Sequence, residues 1–212
     1  MAQTCEKAGV IWFHGLGDSG AGWSSLRNEF AHLAHIQWEF PDAPTSFVTC
    51  NHGPSPSWFD IHEIPITITS APKEPLTGLT ESVKKAHDAV ARLHAAGVPM
   101  NRIVLGGFSQ GSLLAIAAGL QLEEPLAGVV GFSGWLPSEG YLQSLPVKSS
   151  LQILVAHGSA DSVVQFPLSR TLADRLTALG HSVQYETYRG MAHSACAQEL
   201  KDLETFLKKV LP

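Results

Sequence analysis

Arg102-Ile103-Val104-Leu105-Gly106-Gly107-Phe108-Ser109-Gln110-Gly111-Ser112-Leu113-Leu114 is the stretch that decides the fold. Its first half, Arg102 to Gly107, is a short apolar run that predicts a buried strand. From Ser109 to Leu120 the chain is apolar all round, which predicts a buried helix. Between them, Gly107-Phe108-Ser109-Gln110-Gly111 fits G-x-S-x-G. That pattern makes a turn so sharp that the serine backbone is strained, and a side chain at either glycine would strike the neighbouring strand or helix. The turn holds a hydroxyl at a helix N-terminus, where partial positive charge favours a developing anion. Ser109 is therefore the candidate nucleophile. The plainer alternative is a Gly-rich turn whose serine only caps the helix.

Outward from this turn, strands and helices alternate. Upstream, Val10 to Phe13 predicts a strand ending in the Gly-rich turn His14-Gly15-Leu16-Gly17-Asp18. A helix is expected near Trp23 to Leu33 and a strand over Ile36 to Phe40. Residues 41–79 are rich in Pro, Ser, Thr and Gly, have no helical period and read as a long flexible, loop-rich segment. Thr80 to Ala96 predicts a helix with Thr80 as N-cap and Gly97 and Pro99 at its stop. Downstream, strands are expected at Leu126–Phe132, Leu151–Ala156 and Ser182–Tyr188, and helices at Phe166–Leu179 and Ser194–Leu211. The alternation predicts an α/β fold: one domain over residues 1–212, with a mainly parallel sheet covered by helices on both faces.

A serine hydroxyl needs a base, and the base needs an orienting carboxylate. In a strand–turn–helix site of this kind the partners follow in the order Ser, Asp or Glu, then His. They belong at the carboxyl ends of strands, on the rim that carries Ser109. Asp161 closely follows the strand at Leu151. Asp174 lies inside a helix pattern, Glu123 and Glu124 sit at the opposite rim, and Glu186 is within a strand; Glu139 is the weaker substitute. Of the two histidines after Asp161, His181 lies at the opposite rim, and His193 follows the strand that ends at Tyr188. Ser109, His193 and Asp161 are thus selected as nucleophile, base and orienting acid. The oxyanion of acyl transfer needs preset donors. The expected donors are the backbone N–H of Gln110, next after the nucleophile, and that of Leu16 in the first Gly-rich turn. Asp18 reads as a cap of that turn and His14 as structural.

Bulk composition narrows the classes. The chain has 212 residues, 44% hydrophobic and 16% charged, with a formal net charge of -5. This is a globular composition, and mild acidity with no basic run argues against nucleic acid as a partner. Three cysteines at wide spacing make neither a disulfide framework nor a zinc motif. The first residues are too polar for a secretion signal, and no run reaches the length of a membrane span, so a cytoplasmic protein is expected. His32 with His35, and His87 with His94, could each share a helix face. Neither pair has a ligand to complete a metal site, so no metal is expected.

Six motifs, in this order, resemble the acyl-protein thioesterase and lysophospholipase-like carboxylesterase family of the α/β-hydrolases. They are His14-Gly15-Leu16-Gly17-Asp18, Ser57-Trp58-Phe59-Asp60, Gly106 to Gly111, Ser133-Gly134-Trp135-Leu136-Pro137, His157-Gly158 with Asp161, and Gly190-Met191-Ala192-His193-Ser194. The resemblance spans nearly the whole chain. It implies a minimal α/β-hydrolase with no large cap domain and no cofactor. It also implies hydrolysis of S-acyl thioesters on proteins, of lysophospholipids and of simple esters. It carries the catalytic roles onto Ser109, Asp161 and His193 and the oxyanion donors onto Leu16 and Gln110. Two departures stand out: His62 to Gly78 is longer and richer in proline, and Ser112 replaces a second glycine after the serine motif.

An acyl chain needs an apolar groove. Trp58, Phe59, Ile66, Ile68, Trp135, Leu136 and Phe166 are the candidates, with core cover as the alternative for Trp58 and Phe59. Ile64 to Ile68, flanked by prolines, is expected to form a flap over the acyl chain or a shallow membrane contact. Two other readings stay open: an esterase of small soluble esters, and an inactive fold that only binds.

Overall fold

The computed structural model describes residues 6–70, 76–136, 139–144 and 149–212. Its centre is a six-stranded parallel sheet in the order β2-β1-β5-β6-β7-β8. The strands are β1 (Ala8–Phe13), β2 (Ile36–Glu39), β5 (Ile103–Phe108), β6 (Gly128–Phe132), β7 (Gln152–Gly158) and β8 (Ser182–Tyr188). A separate antiparallel pair, β3 (Thr45–Val48) and β4 (Gly53–Pro56), lies in the stretch expected to be loop. Pro54 and Pro56 give that stretch its loop-like composition, and prolines are tolerated only because both strands are edges.

The four inner strands, β1, β5, β6 and β7, are buried on both faces, as the middle of a helix-covered parallel sheet requires, while the edge strands β2 and β8 are partly exposed. Ile11, Phe13, Ile103, Leu105, Val129, Ile153 and Val155 form one core with helices α3 (Leu79–Ala95), α4 (Gln110–Gln121) and α6 (Phe166–Ala178). On the other face, Val10, Trp12, Val104, Val130, Phe132 and Leu154 pack against α2 (Leu26–Glu29) and α7 (Ala197–Val210). Residues Gln110 to Leu120 of α4 are buried without exception, which explains why the sequence there has no polar face.

Several expectations are corrected. The helix near Trp23–Leu33 is two short ones, α1 (Gly20–Trp23) and α2. Between them, the Ser24 hydroxyl bonds the Ala21 carbonyl at 2.8 Å and competes with helix propagation. The N-cap of α3 is Gly78 at φ 90°, not Thr80, which falls inside the first turn. The last helix begins at Ala197 instead of Ser194, leaving Ser194 and Ala195 in the loop that carries His193. A helix at α5 (Glu139–Ser144) was not foreseen. The Ser112 hydroxyl lies against Gly131 and Gly134, where the absence of side chains makes room for it.

The order of strands positions the site. The chain winds outward from β1 to β2, then crosses back to place β5 on the other side of β1. At this switch the loops after β1 and β5 diverge from adjacent strand ends and leave a crevice, the usual binding place in open α/β sheets.

Candidate active site

Ser109 sits at the end of β5 with φ 55° and ψ −116°, a region non-glycine residues seldom occupy. The strain is enforced from outside. A Cβ at Gly111 would collide with the Phe13 and His14 carbonyls, and one at Gly107 with the Gly111 carbonyl. The Ser109 N–H is anchored to the Phe132 carbonyl at 2.8 Å. Its hydroxyl makes no capping bond to α4, which removes the capping alternative. Instead it lies 3.0 Å from His193 Nε2.

His193 comes from the loop after β8, and its Nδ1 lies 2.7 Å from Asp161 Oδ2. The ring packs on Phe108, centroids 4.8 Å apart, and Phe108 in turn packs on Trp23. The Asp161 side chain is fully buried, and that of His193 is 16% exposed. The other carboxylate oxygen of Asp161 accepts the Val163 and Val164 N–H groups at 2.9 and 2.8 Å. His157 Nε2 stands 3.2 Å from Oδ2. Burial opposes ionisation of Asp161, but hydrogen bonds from His157, His193 and the Val164 N–H outweigh it and hold the carboxyl well below the usual range. A carboxylate kept ionised on Nδ1 favours the tautomer whose Nε2 is free to take the Ser109 proton.

The first Gly-rich loop lies against the nucleophile: a Cβ at Gly15 would stand 3.5 Å from Ser109 Cβ. Gly17 N–H is tied to the Pro56 carbonyl at 2.9 Å. The Leu16 and Gln110 N–H groups make no hydrogen bond among the described residues, so both remain available as donors. His14 is structural, as read from the sequence. Its Nε2 accepts the Ala43 N–H at 3.0 Å, so the Nδ1 proton goes to the Gly15 carbonyl at 2.7 Å. Asp18 accepts from Ser19 N–H and from the Trp23 indole, and so closes the turn onto α1.

The side chain of Gln110 has a role that spacing alone did not reveal. Its amide donates to Ser57 Oγ at 2.8 Å and the Phe59 carbonyl at 2.6 Å, and accepts the Trp58 N–H at 3.0 Å. The Trp58 indole donates to the His14 carbonyl at 2.9 Å. The segment 57–59 is thereby locked to both loops that carry the candidate oxyanion donors. Its distance in sequence from Gln110 hid the contact.

The candidate acyl-binding residues separate into two groups. Trp58, Phe59 and Trp135 are no more than 2% exposed and belong to the core, as do Leu136 and Ile66. Ile66 is held by a short parallel bridge to Val164, with Ile66 N–H to the Val163 carbonyl at 2.8 Å, beside the loop that carries Asp161. Phe166 is half-buried, packed against His157. Ile68 is 63% exposed and Ile64 45%. Pro137 and residues 71–75 lie outside the described residues, as does the Glu139 side chain.

The histidine pairs are spoken for. His32 meets Glu204, His35 the Leu211 carbonyl, His87 the Ala118 carbonyl and His94 the Val98 carbonyl. No group of metal-ligating side chains exists among the described residues, and no described helix is long and apolar enough to cross a membrane.

A mainly parallel sheet with a strained serine at a strand–helix elbow, and with Asp and His delivered after β7 and β8 on the same rim, defines an α/β-hydrolase. The profile of the phospholipase/carboxylesterase family matches residues 2–211, and the chain belongs to that family. It is 37% identical to acyl-protein thioesterase 1 of Mycosarcoma maydis, over 97% of this chain and 92% of the relative. A probable carboxylesterase of Oryza sativa subsp. japonica is 39% identical over 99% of this chain and 80% of its own. The crystal structure of Arabidopsis thaliana SOBER1 superposes with a TM-score of 0.91 at 32% identity, covering 97% of this chain and all of the other.

Proposed function

We propose that this hydrolase uses Ser109, His193 and Asp161 as a catalytic triad to cleave acyl thioesters and esters, with S-acylated proteins and lipid esters as substrates. The observation that carries the reading is the chain of contacts from Ser109 Oγ through His193 to Asp161, at 3.0 and 2.7 Å. Ser109 attacks the acyl carbonyl as His193 takes its proton. The Leu16 and Gln110 N–H groups hold the oxyanion. His193 then protonates the leaving thiol or alcohol, and water releases the acyl group by the reverse steps. The names of relatives that are acyl-protein thioesterases support the thioester substrate. Phe47, Ile64 and Ile68, exposed apolar side chains of the 41–79 stretch, suit a peripheral contact with membrane.

A second reading, an esterase of small acyl groups, is favoured by one observation. Most of the apolar residues expected to line an acyl groove are packed into the core, and Ile66 is pinned to the 163–164 backbone. One experiment tests both. kcat/KM is measured on p-nitrophenyl esters from acetate to palmitate, with Ser109→Ala as blank. Each buried methylene contributes about 0.8 kcal/mol, so butyrate to octanoate could gain up to about 200-fold. A steep rise is the expected result for lipid-directed hydrolysis. A flat or falling series supports the small-ester reading, and absence of any Ser109-dependent turnover overturns both.

A further inference from the structure

We infer that His157 is a positioning residue for the acid of the triad: its Nε2–H braces the turn that presents Asp161, and so sets the rotation of the carboxylate toward His193. The inference rests on the reading of Asp161 as the triad acid. His157 is the penultimate residue of β7 and fully buried. Its Nε2 stands 3.0 Å from the Val164 carbonyl and 3.2 Å from Asp161 Oδ2. Both neighbours are acceptors, so the ring carries its proton on Nε2 and shares it between them. Nδ1 has no partner among the described residues, so the ring makes this connection and no other hydrogen bond.

The brace closes a small circuit. Asp161 Oδ1 takes the N–H groups of Val163 and Val164, which leaves the carboxylate one freedom, rotation of Oδ2 toward or away from His193. His157 holds Val164 by its carbonyl and Oδ2 by its lone pair, on the same oxygen that His193 meets. Phe166 packs on the imidazole, centroids 6.1 Å apart, and keeps it in place. Among the described residues the titratable groups facing Asp161 are His157 and His193 alone. The same carboxylate stabilises the His193 imidazolium that forms as the base takes its proton. With His157 gone, Oδ2 is free to swing off Nδ1, and that imidazolium loses part of its support.

The test compares wild type with His157→Leu, His157→Gln, His157→Asn and Asp161→Asn, reading kcat, KM and the pH dependence of kcat/KM, with circular dichroism to establish folding. The Gln amide nitrogen reaches the place of Nε2, while that of Asn reaches only the place of Nδ1. The two amides therefore differ in reach and not in polarity. Expected for His157→Leu and His157→Asn is a loss of about 10- to 100-fold in kcat from the misplaced carboxylate, with KM little changed. The acidic limb of the profile moves down by about half a pH unit or more, because the withdrawn carboxylate supports the protonated base less. His157→Gln recovers most of the rate and returns the limb. If His157→Leu does not fold, the Gln and Asn variants decide the matter. Equal rates and equal limbs for Gln and Asn, or a folded His157→Leu indistinguishable from wild type, overturn the inference while leaving the triad standing. A wild-type enzyme indifferent to Asp161→Asn overturns the triad reading and the inference with it.

Discussion

Replacing Glu199 by Gln should abolish a large, pH-dependent cost to the stability of this fold. Glu199 lies in the first turn of α7 and is fully buried. Among the described residues, neither carboxyl oxygen meets a partner at full hydrogen-bonding geometry. Burial pushes its carboxyl up from 4.5 to about 8, Asp202 adds repulsion, and the Cys196 N–H offsets only part of this. In the unfolded chain the same group ionises near 4.5. Between these two values the folded protein therefore holds a proton that the unfolded chain has lost, and stability falls as pH rises through the interval. At about 1.4 kcal/mol per pH unit, the full loss above pH 8 is roughly 5 kcal/mol. That is a large part of the roughly 5–15 kcal/mol by which domains are stable. For a chain of this size it corresponds to roughly 10–20 °C in Tm. The assay is thermal unfolding of wild type and Glu199→Gln from about pH 5 to about pH 9 at constant ionic strength. The difference between the two isolates Glu199, because other groups act in the opposite sense. Burial holds His181 below its usual 6.5, so its contribution is lost as pH falls. The variant should match wild type near pH 5 and exceed it increasingly toward pH 9. Curves that run parallel across the range would refute the reasoning.

Other expectations concern the site. Asp161→Asn should leave the fold intact and lower kcat by about 10⁴, as loss of the orienting acid does in serine triads generally; a loss below about tenfold in esterase turnover would refute the role given to Asp161. Gly111→Ala should cost about 2 kcal/mol or more, because the new Cβ meets backbone carbonyls of Phe13 and His14 that cannot swing away. Denaturant unfolding checks this, and a fully stable variant would mean that the elbow can relax.

The three residues proposed as a triad could be picked out in the sequence because they sit at strand ends. In an alternating β–α chain, the residue just after each strand lies on one rim and the residue just before it on the other. That simple geometry separated His193 from His181 and Asp161 from Glu123. The same reasoning failed where composition misleads. Gly53-Pro54-Ser55-Pro56 reads as loop, yet pairs as an edge strand, because an edge needs only one side of its backbone bonded. The helix near Trp23 broke at Ser24 because a serine hydroxyl competes for a backbone carbonyl, which a period count does not register.

Local pattern by itself determined the elbow at Ser109, the succession of strands and helices, and the burial of α4, since each depends on residues near one another in the chain and on hydrophobic period. Only the tertiary structure decided the rest. The order β2-β1-β5 sets the Leu16 loop beside Ser109. Gln110 is latched to residues 57–59, more than fifty positions away in the chain, and Ile66 to Val164. Glu199, an ordinary helix glutamate by sequence, ends up without solvent. These outcomes depend on which surfaces meet when the layers close, and on whether a polar group carried inside finds a partner there. Neither is a property of any segment alone.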